Sequence, residues 1–313
     1  MSGRRRIVRV PASSGNLGPG YDVLGAALEL ELELEVSETG SFEIDPGGLD
    51  VPLDRENLLV RAFERLHPAD DISFVIRSDI PLSRGLGSSA AAIVAGLLAA
   101  DHLYELGHSR ERIFAYACDL EGHPDNVAAA LFGGIALCAP PGAPARETPP
   151  DPIEMGLGSA PASRIPSPAL LAPPEGLEAI LVVPEAEVPT ERARAAMPAE
   201  LPLADAMHNV SAAAHLVMGI ERSDLTLIER GLSDRVHQSR RRSLYPRSME
   251  VVEAARGLGA IGATISGAGP TVLVWSFWQS GTQVLEGLER LAEGWAEVRR
   301  VPFSARGARV ELP

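Results

Sequence analysis

The chain has 313 residues, 45% of them hydrophobic, with 28 basic and 42 acidic side chains and a formal net charge of −14. That length suffices for one large domain or two smaller ones, and the acidic balance argues against nucleic acid or an anionic membrane as a partner. Cys118 and Cys138 are too few for a disulfide scaffold, form no CxxC pair and lie in apolar stretches, so both are expected as buried free thiols.

Arg4, Arg5 and Arg6 open the chain, but IVRVPASSGN follows rather than the apolar run of a signal peptide, and the cytoplasm is the expected location. Residues 6–10, 28–36 and 72–77 read as strands. The second of these, LELELELEV, alternates leucine and glutamate with the period of a half-buried strand. Asp54 is expected to cap a helix carrying Asn57, Leu58, Leu59, Ala62, Phe63 and Leu66. A long helix is expected from Gly87 to about Leu106. It contains the longest apolar run, the eleven residues Ala90 to Ala100, which is too short to span a bilayer. A further helix runs from Ser109, as N-cap, to Glu121.

From 139 to 174 eleven of 36 residues are proline and periodicity disappears, as in an interdomain connection or a surface excursion. The second half opens with a strand at 179–183. Helical patterns follow at 190–197, 203–219, 224–231 and 247–256, the last closed by Gly257 at C′. Strands near 262–265 and 271–275, a helix at 281–292 and terminal strands complete the chain. This mixture predicts an α+β fold of two domains, residues 1–160 and 161–313.

Three glycine-rich segments carry the chemistry. Residues 81–92, PLSRGLGSSAAA, run straight into an apolar helix. Glycines let backbone N–H groups converge on an anion, and the helix N-terminus adds its partial positive charge. The spacing is neither GxxxxGK[ST] nor GxGxxG. PASSGNLGPGYDVLG occupies 11–25, and SGAGPT, 266–271, sits between two strands.

The order PxSSGNLGPGxD, PLSRGLGSSAA, SGAGPT resembles the three motifs of the GHMP kinases over nearly the whole chain. The resemblance implies an N-terminal domain like the second domain of ribosomal protein S5, a ferredoxin-like C-terminal domain, and ATP with Mg²⁺ in the cleft between them. It assigns Pro81, Leu82, Ser83, Arg84, Gly85, Leu86, Gly87, Ser88, Ser89 and Ala90 to ATP, with Asn57 approaching the adenine, and Ser89 and Glu121 to the metal.

NLGPGYDVLGAAL, EGHPDNVAAALFGG, PTERARAAMP and DRVHQSRRRSLYP are further similar to segments of the homoserine kinase branch of that family. The implied substrate is L-homoserine, phosphorylated on its hydroxyl during threonine biosynthesis. Asp22 would accept from the ammonium, with Asn16 nearby; Arg194 and Arg241 would clamp the carboxylate. His123, Asn126, Thr190 and Gly267 would line the same pocket. Arg241 lies in a run of three arginines, which otherwise reads as a solvated face. Ser89, Glu121, Arg241 and Asp125 form the expected catalytic set. All 28 basic residues are arginine, so a lysine-assisted base is excluded. Asp125 remains a candidate base, beside a mechanism with none. A homodimer is implied at family level. The alternatives are another GHMP small-molecule kinase, acting on mevalonate, a sugar or shikimate, and a GHMP-fold ligand sensor without turnover.

Overall fold

The computed structural model describes residues 3–140 and 166–312. The expected division at 160 and most of the proline-rich stretch lie outside the described residues. Strand β1 (Arg5–Gly15) pairs antiparallel with β2 (Leu24–Glu38). The alternation read from the sequence is that of β2. Leu28, Leu32 and Leu34 enter the core, while Glu31, Glu33 and Glu35 face arginines of neighbouring strands, with Arg309 holding Glu31 at 2.6 and 2.9 Å. The register slips between Pro11 and Ala12, where proline has no N–H to offer the ladder.

After β3 (Glu43–Asp45), helix α1 (Leu58–Glu64) starts later than expected. Its N-cap is Asn57, whose Oδ1 accepts from Leu59 N at 3.0 Å; Asp54 instead closes the preceding turn by accepting from Glu56 N at 2.9 Å. β4 (Ile72–Ser78) leads to α2 (Ser88–Leu103), α3 (Arg110–Glu121, capped by Ser109 as expected), α4 (Pro124–Phe132), β5 (Ile135–Leu137) and β6 (Ala169–Leu171). α2 is apolar on nearly every side and is buried between α1, α3 and the sheet. Each large aliphatic side chain it removes from water contributes roughly 1.5–3 kcal/mol.

β7 (Leu177–Pro184) begins a second sheet. There follow α5 (Thr190–Ala195), α6 (Leu203–Arg222), α7 (Leu225–Gly231), a 3₁₀ turn at Ser239–Leu244, α8 (Pro246–Ala254), β8 (Gly262–Ile265), β9 (Val272–Phe277), α9 (Gly281–Ala292) and β10 (Ala296–Arg300). The sheet order β10-β7-β9-β8, all antiparallel, is ferredoxin-like. Gly257 does not end α8. The helix tightens into a 3₁₀ turn over 255–258, which moves the left-handed residue to Gly259, φ 101°. β11 (Arg309–Glu311) then returns to pair with β1, so the first sheet reads β11-β1-β2-β4-β3, with β5 beside β2 and β6 beside β5. Both cysteines are buried and free. Among the described residues no helix is long and apolar enough to cross a membrane.

Candidate active site

The three glycine-rich segments meet at the junction of the two sheets and are tied by their backbones. Ser13 N donates to Leu86 O at 3.1 Å, Gly267 N to Gly15 O at 3.1 Å, and Thr271 N to Arg84 O at 3.3 Å. Ser266 Oγ adds a bond to Gly85 O at 2.6 Å. They frame a cleft that is partly open to solvent.

One end of the cleft is the start of α2. Gly87 is its N-cap, in the left-handed region at φ 69°, and a Cβ there would lie 2.0 Å from Ser13 Oγ. Gly85, at φ 79°, is as restricted, since a Cβ would meet Ser266 O at 2.3 Å. No side chain caps this helix and no acidic residue stands in its first turn. Its leading N–H groups are therefore available to an external anion, with the helix dipole in support.

At the floor, Ser89 Oγ donates to Glu121 Oε2 at 2.5 Å. Burial raises the Glu121 pKa above the ordinary glutamate value, against the pull of His123 and Ser89. A hydroxyl beside a carboxylate is a hard-oxygen donor set that fits Mg²⁺. His123 Nδ1 donates to Asp125 Oδ1 at 2.9 Å. Burial opposes its charge, but the Asp125 bond and the two carboxylates prevail and raise its pKa. Asp125 is 1% exposed, and its Oδ2 accepts from Asn16 N at 3.1 Å, so both carboxylate oxygens are engaged. Asn126 Nδ2 donates to Ser13 Oγ at 2.9 Å. Asn16, at φ 69°, donates from Nδ2 to Gly267 O at 2.8 Å and accepts from Asp22 N at 3.0 Å. It thereby links the first and last glycine segments and aims Asp22.

The opposite wall is built from arginine. Arg194 holds Asp22 with two bonds of 2.9 and 3.1 Å. Arg241 is only 2% exposed, and among the described residues no carboxylate lies within ion-pair distance of it. Its guanidinium donates from Nε to Ala193 O at 2.9 Å, and its NH1 lies 3.3 Å from His237 Nδ1 and 3.4 Å from Gly267 O. Tyr21 sits between the two arginines, with guanidinium carbons 5.9 and 5.3 Å from its ring centre and both groups 3.4 Å from its hydroxyl. The run of arginines divides cleanly: Arg240 pairs with Asp205, Arg242 with Glu253, and Arg241 alone of the three turns into the cleft.

Asn16, Asp22, Ser83, Gly85, Gly87, Ser88, Ser89, Glu121, His123, Asp125, Asn126, Thr190, Arg194, Arg241 and Gly267 all line this cleft. Asn57 does not; its Oδ1 caps α1 and its Nδ2 donates to Pro52 O at 2.8 Å. Leu86 and Ala90 are buried in the core. Pro81 and Arg84 line a neighbouring groove with Glu185 and Trp295, and Leu82 is half-buried. Residues not singled out beforehand are Tyr21 and Ala268 in the wall, and Ser13 and His237 behind it. All four lie in segments already quoted: Ser13 and Tyr21 in PASSGNLGPGYDVLG, Ala268 in SGAGPT and His237 in DRVHQSRRRSLYP.

The family model described as the GHMP kinases N terminal domain matches residues 57–134, and the GHMP kinases C terminal model matches 216–297. A homoserine kinase of Desulfitobacterium hafniense is 36% identical over 274 residues, covering 85% of each chain. That of Deinococcus radiodurans is 37% identical over 289 residues, 89% of this chain and 86% of the relative. Among solved structures, homoserine kinase from Cytophaga hutchinsonii superposes with a TM-score of 0.81 at 26% identity, over 98% of this chain and 97% of that one. Phosphomevalonate kinase from Streptococcus pneumoniae, in complex with phosphomevalonate and AMPPNP, shares the fold at a TM-score of 0.69 and 16% identity, over 94% and 99%. With a glycine-lined helix start, a serine–glutamate floor and both family models matched in order, the chain belongs to the homoserine kinase branch of the GHMP kinases.

Proposed function

We propose that this chain transfers the γ-phosphoryl group of ATP to the hydroxyl of L-homoserine, giving O-phospho-L-homoserine and ADP, a step of threonine biosynthesis. The observation that carries the substrate is Arg241, a buried cation that has no acidic partner among the described residues and faces the cleft beside an Asp22–Arg194 pair. A buried charge left unpaired is costly, so this position favours an anionic ligand. An amino-acid carboxylate supplies the anion, and its ammonium takes over Asp22 as Arg194 turns to the carboxylate. The substrate's hydroxyl then points toward the start of α2.

ATP enters with its phosphates against the N–H groups of Ser88 and Ser89. Ser89 and Glu121 would hold Mg²⁺, which when bound neutralises phosphate charge and aligns the transferring group. Phosphoryl transfer depends mainly on positioning and charge neutralisation. Both Asp125 oxygens are already bonded, to Asn16 and His123, which supports a mechanism without a dedicated base. Asp125 then acts by placing Asn16 and His123.

A homodimer belongs to the same reading. Leu203, Met207, Val210 and Met218 lie exposed along α6 on the side away from Ala212, Leu216 and Ile220, which pack inward. No charged residue stands between Asp205 and Glu221, an unusual stretch for so acidic a chain. Sedimentation of Val210→Glu against the parent tests this, with a shift to monomer expected.

The activity itself is tested by a coupled ADP-release assay with homoserine, mevalonate, shikimate and galactose. Turnover of homoserine alone is expected. Preference for mevalonate, shikimate or galactose would move the chain to another GHMP activity, and no turnover of any would favour a sensor.

A further inference from the structure

His237 is fully buried and takes no direct part in the cleft, yet it lies one helical turn before Arg241, whose backbone N–H bonds to the His237 carbonyl at 3.2 Å. Its Nε2 is 2.9 Å from Gly18 O. A carbonyl only accepts, so the proton is on Nε2. Its Nδ1 is 3.3 Å from Arg241 NH1. A guanidinium only donates, so Nδ1 presents a lone pair. The two contacts select one neutral tautomer, and each would be lost in the other. Around the ring stand Asp234, whose Oδ2 is 3.9 Å from Nε2, the Tyr21 ring at 5.5 Å between centres, and Arg241 itself. Asp234 is committed elsewhere, accepting from the backbone N–H groups of Val236, His237 and Gln238 and from Asn209 Nδ2. Burial among these groups lowers the His237 pKa and keeps the ring neutral.

The consequence is best seen by counting the donors of Arg241. Nε is held by Ala193 O, and the two N–H groups of NH1 by His237 Nδ1 and, at longer range, Gly267 O. NH2 has a 3.4 Å contact with the Tyr21 hydroxyl, and the buried Tyr245 hydroxyl faces the same guanidinium without completing a hydrogen bond. With Nε and NH1 fixed, the plane of the guanidinium is fixed, and NH2 is the corner left for a ligand. Through Nε2, the same imidazole ties this orientation to Gly18 in the first glycine segment.

The geometry points to His237 as a positioning residue that, in its Nε2–H tautomer, accepts from Arg241 and turns the NH2 corner of that arginine toward the substrate carboxylate. This rests on the reading of the site as an amino-acid kinase, but the tautomer can be tested apart from it. In protein labelled with ¹⁵N-histidine, the resonances lost in His237→Gln identify the ring. The expected result is a pyridine-type Nδ1 and a pyrrole-type Nε2; the reverse pattern, or a doubly protonated ring at neutral pH, overturns the proposal.

Kinetics then separate positioning from mere packing. His237→Asn places an amide oxygen near the Nδ1 position and keeps an acceptor for Arg241. His237→Gln reaches Gly18 but leaves Arg241 NH1 without one. The expected KM for homoserine rises about tenfold or more in His237→Gln and recovers to within roughly threefold of the parent in His237→Asn, with the KM for ATP unchanged in both. Equal effects of the two substitutions, or equal losses for ATP and homoserine, would contradict it. If the parent turns over no homoserine, the activity assignment fails while the tautomer result still stands or falls by itself.

Discussion

The two ends of the cleft are built on opposite principles. The phosphate end is backbone: left-handed glycines, an uncapped helix start and main-chain bonds that leave no room for a Cβ. The amino-acid end is side chain: Asp22, Arg194, Tyr21 and Arg241, held by one another and by His237 and Asn16. The first is formed before any ligand arrives. In the second, Asp22 and Arg194 already neutralise each other and must exchange partners on binding, while Arg241 keeps an NH2 corner for the ligand. Phosphate recognition is therefore expected to be rigid and intolerant of substitution, and substrate recognition to be adjustable in KM.

The difference can be broken first at Gly87. Gly87→Ala combines an unfavourable φ with a Cβ pressed on Ser13 Oγ, and should lower kcat/KM for ATP about 100-fold or more, measured at saturating homoserine. At the other end, Arg241→Met removes a buried cation. It should cut kcat/KM for homoserine by roughly 30-fold or more. Asp22→Asn should raise the KM for homoserine about tenfold and leave that for ATP alone.

The floor shared by both ends has a pH signature. The Glu121 pKa is raised by burial, so its active carboxylate form is lost as pH falls through a value above the usual glutamate range. The acidic limb of kcat/KM should lie correspondingly high, and added Mg²⁺ should shift it to lower pH, because metal and proton compete for the same oxygen atoms. The smallest effect is expected from Asp125→Asn, which keeps an acceptor for Asn16 N and should hold turnover within about threefold of the parent. A loss of several hundredfold would restore Asp125 as a base.

The phosphate end was the more legible in the sequence for a physical reason. A backbone site requires glycine at fixed positions in a short run, and 81–92 displays that requirement directly. The side-chain wall is assembled from residues up to 220 positions apart, as Tyr21 and Arg241 are, and no local pattern marks such a meeting. The run at 240–242 shows the limit: three identical residues, of which burial and the turn at 239–244 choose one. Asn57 shows the converse. The resemblance places it near the adenine, while its type and its position before an apolar helix suit the N-cap that it forms on α1. Fold periodicity was plain in β2 and α2, while the ends of α1 and α8 shifted by a few residues because side-chain caps and 3₁₀ tightening depend on neighbours out of sequence reach.

The most direct test of the central claim compares kcat/KM for homoserine with that for 3-aminopropanol, which lacks the carboxylate, and for 4-hydroxybutanoate, which lacks the ammonium, at fixed Mg·ATP. ADP release is expected with homoserine, with a loss of about 100-fold or more for either truncated alcohol, because each leaves buried Arg241 or half-buried Asp22 without its ligand partner. Comparable rates for the three alcohols, or none with homoserine, would contradict it.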